Sequence, residues 1–135
     1  MKRTAALTVL VFLGSVVQAQ SNNAIGVWLD DKRESKIKVT QCGKRLCGTI
    51  VWLVKPMKDD FNVDASKRGR DLIGVQIFNN LVPDGPNSWI GTAYSPRKGK
   101  VYSGSARVNN DRLTLKGCLT SARILCQTVK FTRDK

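Results

Sequence analysis

The sequence predicts an all-β protein, an antiparallel up-and-down barrel of about eight strands, on three observations. Short apolar runs alternate with clusters of turn-forming residues at intervals of roughly ten residues, which suits a sandwich or barrel rather than a helical protein. Ser35-Lys36-Ile37-Lys38-Val39-Thr40 alternates with period two, Ile37 and Val39 on one face and Lys36 and Lys38 on the other, as a half-buried strand does. Eight antiparallel segments that follow one another along the chain close most simply into a barrel, whose interior holds side chains or one small ligand. A two-sheet sandwich is the alternative arrangement.

The elements follow in order. Residues 1–19 read as a secretory signal: Lys2 and Arg3 form a charged start, Ala5 to Val17 an apolar stretch, and Val17-Gln18-Ala19 a small-residue cleavage site. The apolar stretch is short for a bilayer core of ~30 Å, and no cysteine stands just past the cleavage site to be acylated, so the expected product is residues 20–135, periplasmic or secreted and not an integral membrane protein. Gly26 to Leu29 opens the strand series and Ser35 to Thr40 continues it. Gly48 to Leu53, β-branched and aromatic, pairs with the preceding strand as a hairpin and ends at Pro56. Lys55 to Arg70 lacks strand character and is a long loop, with at most one helical turn at Asp64 to Arg68 capped by Asp64. Leu72 to Phe78, Ser88 to Tyr94, Lys100 to Val108, Arg112 to Gly117 and Ile124 to Thr132 complete the strands. Pro83 to Asn87, Pro96 to Gly99 and Asn109 to Asp111 supply the turn residues between them.

Charge and cysteine usage narrow the function classes. The formal net charge is +13, and it falls to +11 when Lys2 and Arg3 leave with the signal. For an exported protein this excess points to anionic cell-envelope components, lipid head groups or acidic proteins, and not to nucleic acid. Cys42, Cys47, Cys118 and Cys126 all lie in the mature part, an even count that favours two disulfides in an oxidising compartment. Three connectivities are formally open. Spacing favours the local pairs, Cys42 with Cys47 and Cys118 with Cys126, each across a hairpin mouth. A four-cysteine zinc site is the rival, and the seven residues between Cys118 and Cys126 fit it poorly.

A family resemblance is carried by Gly26-Val27-Trp28, Cys42-Gly43, Leu46 to Trp52, Asn62-Val63-Asp64, Arg68 to Gly74, Trp89-Ile90-Gly91, Tyr94-Ser95-Pro96, Gly99 to Tyr102 and Gly117-Cys118. In this order and spacing they resemble the bacterial exported family called domain of unknown function 2147. The resemblance implies a small lipocalin-like barrel and no particular reaction. Ser95 and Phe131 depart from its pattern, standing where the family has an acidic residue and a tryptophan. Gly26-Val27-Trp28 is also similar to the lipocalin opening, in which an arginine of the last strand packs across the indole; Arg133 is placed to do so and close the barrel base.

The site candidates are Trp52, Trp89, Tyr94 and Tyr102, which fall on predicted strands and either line a cavity or fill the core, and Arg68 and Arg70, whose planar guanidinium groups grip a carboxylate or phosphate or else pair with nearby aspartates. Asp60, Asn62, Asp64, Ser66 and Asp71 imitate the ligand spacing of a calcium loop, but Ala65 stands where such a loop turns on glycine and three cations compete for its carboxylates. No metal or cofactor is expected. The sequence has no histidine, which removes Ser-His and Cys-His nucleophiles, and aspartates clustered beside arginines read as ordinary solvated charge, so catalysis is not expected. The sequence thus points first to a binding module for a small apolar or amphipathic ligand, with a basic protein docking on anionic surfaces as the alternative.

Overall fold

The computed structural model describes residues 4–14, 23–119 and 122–135. Residues 4–14 carry no regular secondary structure and are exposed; the expected cleavage site at residues 17–19 lies outside the described residues. The eight strands are β1 (Gly26–Asp30), β2 (Ser35–Cys42), β3 (Arg45–Leu53), β4 (Gln76–Pro83), β5 (Ser88–Ser95), β6 (Lys100–Asn109), β7 (Arg112–Leu119) and β8 (Ala122–Arg133). Each pairs antiparallel with the next, and β8 returns to β1, so the sheet closes into a barrel. Strands and disulfides all lie between Gly26 and Arg133, and the barrel closes without residues 4–14.

Alternation sorts the side chains. Ile37 and Val39 of β2 point in against Trp28, Leu46 and Ile50, while Lys38 faces solvent. Phe78 and Leu81 of β4, Trp89 of β5, Ala106 and Val108 of β6, Leu113 of β7 and Phe131 of β8 complete one continuous core. Gly48 is required by this packing, because the Phe78 ring lies where any β-carbon at residue 48 would stand.

Cys42 is bonded to Cys47 beside the β2–β3 turn, and Cys118 to Cys126 across β7 and β8. The sulfurs are therefore consumed in the local pairs, and a four-thiolate zinc site is excluded.

The β3–β4 connection departs from expectation. The strand anticipated at Leu72 to Phe78 begins instead at Gln76 and runs on to Pro83. Leu72 and Val75 are buried, as their apolar character requires, but a turn holds them: the Val75 N–H donates to the Leu72 carbonyl, and Gly74 sits at φ +97°. This turn docks on β3, Gly74 donating to the Ile50 carbonyl and the Ile50 N–H to Val75. Farther along, Asn79 and Asn80 extend the strand despite their polarity. The Asn80 side chain accepts from the Thr92 N–H at 2.9 Å and donates to Thr92 Oγ1 at 2.8 Å, replacing ladder bonds between β4 and β5. The single helical turn is a 3-10 turn at Ala65–Lys67, with Asp64 as its N-cap accepting from the Ser66 N–H.

The barrel has two unlike ends. At one lie the β2–β3, β4–β5 and β6–β7 turns, where Trp28 is fully buried and donates its indole N–H to the Ala24 carbonyl at 2.8 Å. The Arg133 guanidinium lies 4.3 Å from the Trp28 ring and donates to the carbonyls of Asn23 and Ile25. Gly26, at φ +138°, makes room for it: a β-carbon there would stand 3.1 Å from Arg133 Nη1. The other end carries the β1–β2 and β5–β6 turns and the long segment 54–75.

Candidate functional site

At the end carrying segment 54–75, the long loop is strapped to the barrel by a buried carboxylate. Asp59 is only 1% exposed. Its Oδ2 accepts from Asn62 Nδ2 at 2.8 Å and from Arg70 Nε and Nη2, each at 2.9 Å, and its Oδ1 accepts from the Tyr94 hydroxyl. The backbone follows the same course, since the Asp59 N–H donates to the Arg70 carbonyl at 3.0 Å and the Asn62 N–H to the Asp59 carbonyl at 3.1 Å. Burial opposes ionisation of Asp59, but the hydrogen bonds from Tyr94, Asn62 and Arg70 and the Arg70 charge outweigh it and hold the carboxyl below the usual range. The same contact, with burial as the larger cause, pushes the Tyr94 phenol up to about 12.

Two further connections set the loop. Asn62 Oδ1 accepts from the Asp64 N–H at 2.8 Å, and the Asn62 carbonyl accepts from Arg68 Nε at 2.8 Å. The Val63 N–H donates to the Gly99 carbonyl at 3.0 Å, bringing the loop onto the β5–β6 turn. Gly99 sits at φ +67°, and a β-carbon there would lie 1.5 Å from the Phe61 carbonyl oxygen, so only glycine permits this approach.

Beside this network the barrel wall parts. β4 and β5 are in register only at Val82 with Ile90 and Pro83 with Trp89, and beyond the Asn80–Thr92 bridge the two strands separate. The gap is a concavity of about 780 Å³. Val63, Ile73, Val75, Ile77, Phe78 and Val101 supply its apolar lining, and Lys67 and Arg70 of the strapped loop, Gln76 and Asn79 of β4 and Thr92 and Tyr94 of β5 are among the polar side chains that supply the rest. Its lining is mixed, polar and apolar in nearly equal parts, and its volume falls in the range of small-molecule sites.

The structure distributes the expected site residues unevenly. Arg70 and Tyr94 meet at Asp59 and line the concavity. Arg68 lies in the same loop but is turned onto the Asn62 carbonyl and away from the concavity. Trp89 and Tyr102 are each 7% exposed; Trp89 belongs to the core, and the Tyr102 ring packs over Gly117. Trp52 lies on the outer surface, 39% exposed, with the Lys36 ammonium 5.5 Å from its ring. The physical reason is a bulge: Ile37 is opposite Ile50 but Lys36 is opposite Trp52, so β3 carries one extra residue there, and Val51 and Trp52 both face out.

Asp59 is the residue that reading the sequence as solvated charge missed. It stands beside exposed Asp60 and follows Lys58, and nothing in that local pattern marks one of two adjacent aspartates as buried. The calcium-like spacing does not converge. Asn62 is committed to Asp59 and the Asp64 N–H, Asp64 to Ser66, and Asp71 to Lys58 at 3.3 Å. Among the described residues no three His, Cys, Asp or Glu side chains gather.

Comparison with known proteins agrees with this architecture. A Helicobacter pylori protein, HP1028, described as belonging to the lipocalin family, superposes with a TM-score of 0.71 at 20% identity, with 83% of each chain covered. A likeness at that identity concerns the fold alone. A search of curated proteins finds no match. Residues 26–133, which span every strand from β1 to β8, match the family described as an uncharacterized protein conserved in bacteria, the domain of unknown function 2147, and the chain belongs to that family.

Proposed function

We propose that the protein is an exported binding module that seats a small apolar or amphipathic ligand in the gap between β4 and β5. The observation that carries the reading is the gap itself: a concavity of about 780 Å³, open to solvent, with apolar Val75, Ile77, Phe78 and Val101 beside the polar side chains of the strapped loop. A polar end for an amphipathic ligand is available at Arg70, whose side chain is 41% exposed although two of its nitrogens are held by Asp59, and at Lys67 on the same rim. Two disulfides support export, because such bonds persist in oxidising compartments. Binding is favoured over catalysis because the chain has no histidine and the buried carboxylate is already saturated with donors.

Native mass spectrometry and displacement of a fluorescent fatty acid test the reading. The wild-type protein is expected to bind the probe, and Ile77→Trp, which projects an indole into the gap, to bind it at least about tenfold more weakly while remaining folded. Absence of any binding by the folded wild type, or binding that Ile77→Trp leaves unchanged, would remove the gap as the site.

A further inference from the structure

The end of the barrel bearing segment 54–75 presents apolar side chains to water with unusual persistence. Phe61, Val63 and Val101 are 66%, 65% and 62% exposed, and Val54, Met57 and Ile73 are about half exposed on the same end. Isolated exposed apolar residues are ordinary on a protein surface, but six gathered around one loop system are not. Their exposure is also enforced. Phe61 and Val63 flank the buried Asn62, whose side chain is anchored on Asp59 and the Asp64 N–H, and the Val63 N–H is pinned to the Gly99 carbonyl. The loop cannot fold these two side chains inward without breaking the Asp59 network that positions it.

Cations surround the apolar tips. Segments 54–73 and 96–101 together hold eight lysines and arginines against four carboxylates. Asp59 and Arg70 neutralise each other, so the buried carboxylate leaves the excess unchanged. Among the described residues Lys55, Lys98 and Lys100 take part in no ion pair, and Lys98 and Lys100 bracket the glycine that touches Phe61.

Fixed apolar tips ringed by unpaired lysines match the chemistry of an anionic bilayer surface, in which apolar groups enter the acyl boundary and ammonium groups meet lipid phosphates. We propose that this end of the barrel is a docking surface for an anionic lipid bilayer, with Phe61 and Val63 entering the interface and Lys98 and Lys100 meeting head groups. The surface is independent of what the gap between β4 and β5 holds, although Val63, Ile73 and Val101 also border that gap, which places its opening against the lipid.

The test is co-sedimentation of residues 20–135, which contain the whole barrel, with vesicles of phosphatidylcholine with and without roughly 30 mol % phosphatidylglycerol. The wild type is expected to bind only the anionic vesicles and to be released as salt rises from about 0.05 M to about 0.5 M. Phe61→Ser/Val63→Ser, both at exposed positions, is expected to lower the partition coefficient roughly tenfold or more. Lys98→Glu/Lys100→Glu is expected to abolish binding, and the charge-matched Lys44→Glu/Arg45→Glu, at the opposite end, to leave most of it. A Phe61→Trp variant should add blue-shifted emission on anionic vesicles. Failure of the wild type to bind, equal binding by Phe61→Ser/Val63→Ser, or equal losses from both charge-reversed pairs would each overturn the proposal.

Discussion

Removing the Asp59 carboxylate is the sharpest perturbation of the loop network. In Asp59→Ala the Tyr94 hydroxyl, the Asn62 amide and two nitrogens of Arg70 lose their shared acceptor at one stroke. Removing one partner of a buried pair costs about 3–5 kcal/mol, because the other charge is left without compensation. Arg70 is 41% exposed and regains water, so the loss falls at the low end, about 3 kcal/mol. With an unfolding entropy of about 2.1 cal/mol/K per residue over a barrel of roughly 110 residues, that corresponds to a fall in Tm of about 13 °C. Asp59→Asn should cost roughly half as much, since the amide oxygen still accepts from Asn62 and Arg70 while its NH₂ group faces Tyr94, whose hydroxyl can turn to accept.

The acid limb provides an internal control for this perturbation. The folded pKa of Asp59 lies below the unfolded value, so its stabilisation is complete above the ordinary carboxylate pKa and is lost as pH falls through the folded value. The Asp59→Ala penalty should therefore shrink below about pH 4. Urea unfolding followed by circular dichroism at several pH values measures both effects. A destabilisation under about 1 kcal/mol at pH 7 would refute the assignment of Asp59 as the anchor of the loop.

Tyr94 should titrate near 12: in a Tyr102→Phe background, absorbance at alkaline pH should show its phenol ionising late, and stability should decline as pH rises from about 10 toward 12, the reverse sense to Asp59. An ordinary phenol titration would contradict the contact. Gly99→Ala should lift the loop off the β5–β6 turn, seen as faster amide exchange at Val63, because a methyl group there meets the Phe61 carbonyl. Arg133→Ala should cost about 2 kcal/mol in thermal unfolding, through loss of the Trp28 stacking and the bonds to Asn23 and Ile25. Reduction should cost about 2 kcal/mol for each disulfide, and replacing Cys42 and Cys47 by serine should reproduce one such decrement without opening the barrel.

Much of the architecture is set by local chemistry that any reader of the chain can follow. Period-two alternation puts Ile37 and Val39 inside, glycine and asparagine mark the turns, and close spacing brings each cysteine to its partner. These features depend on neighbours within a few residues, where backbone geometry leaves few alternatives. What the tertiary structure alone decided is everything that depends on distant partners. The bulge opposite Lys36 turned Trp52 outward, and the turn at Gly74 let Leu72 and Val75 fill the core without belonging to a strand. Tyr94, thirty-five residues from Asp59, makes a buried carboxylate tolerable, because the cost of removing a charge from water is offset only when donors from separate segments converge on it.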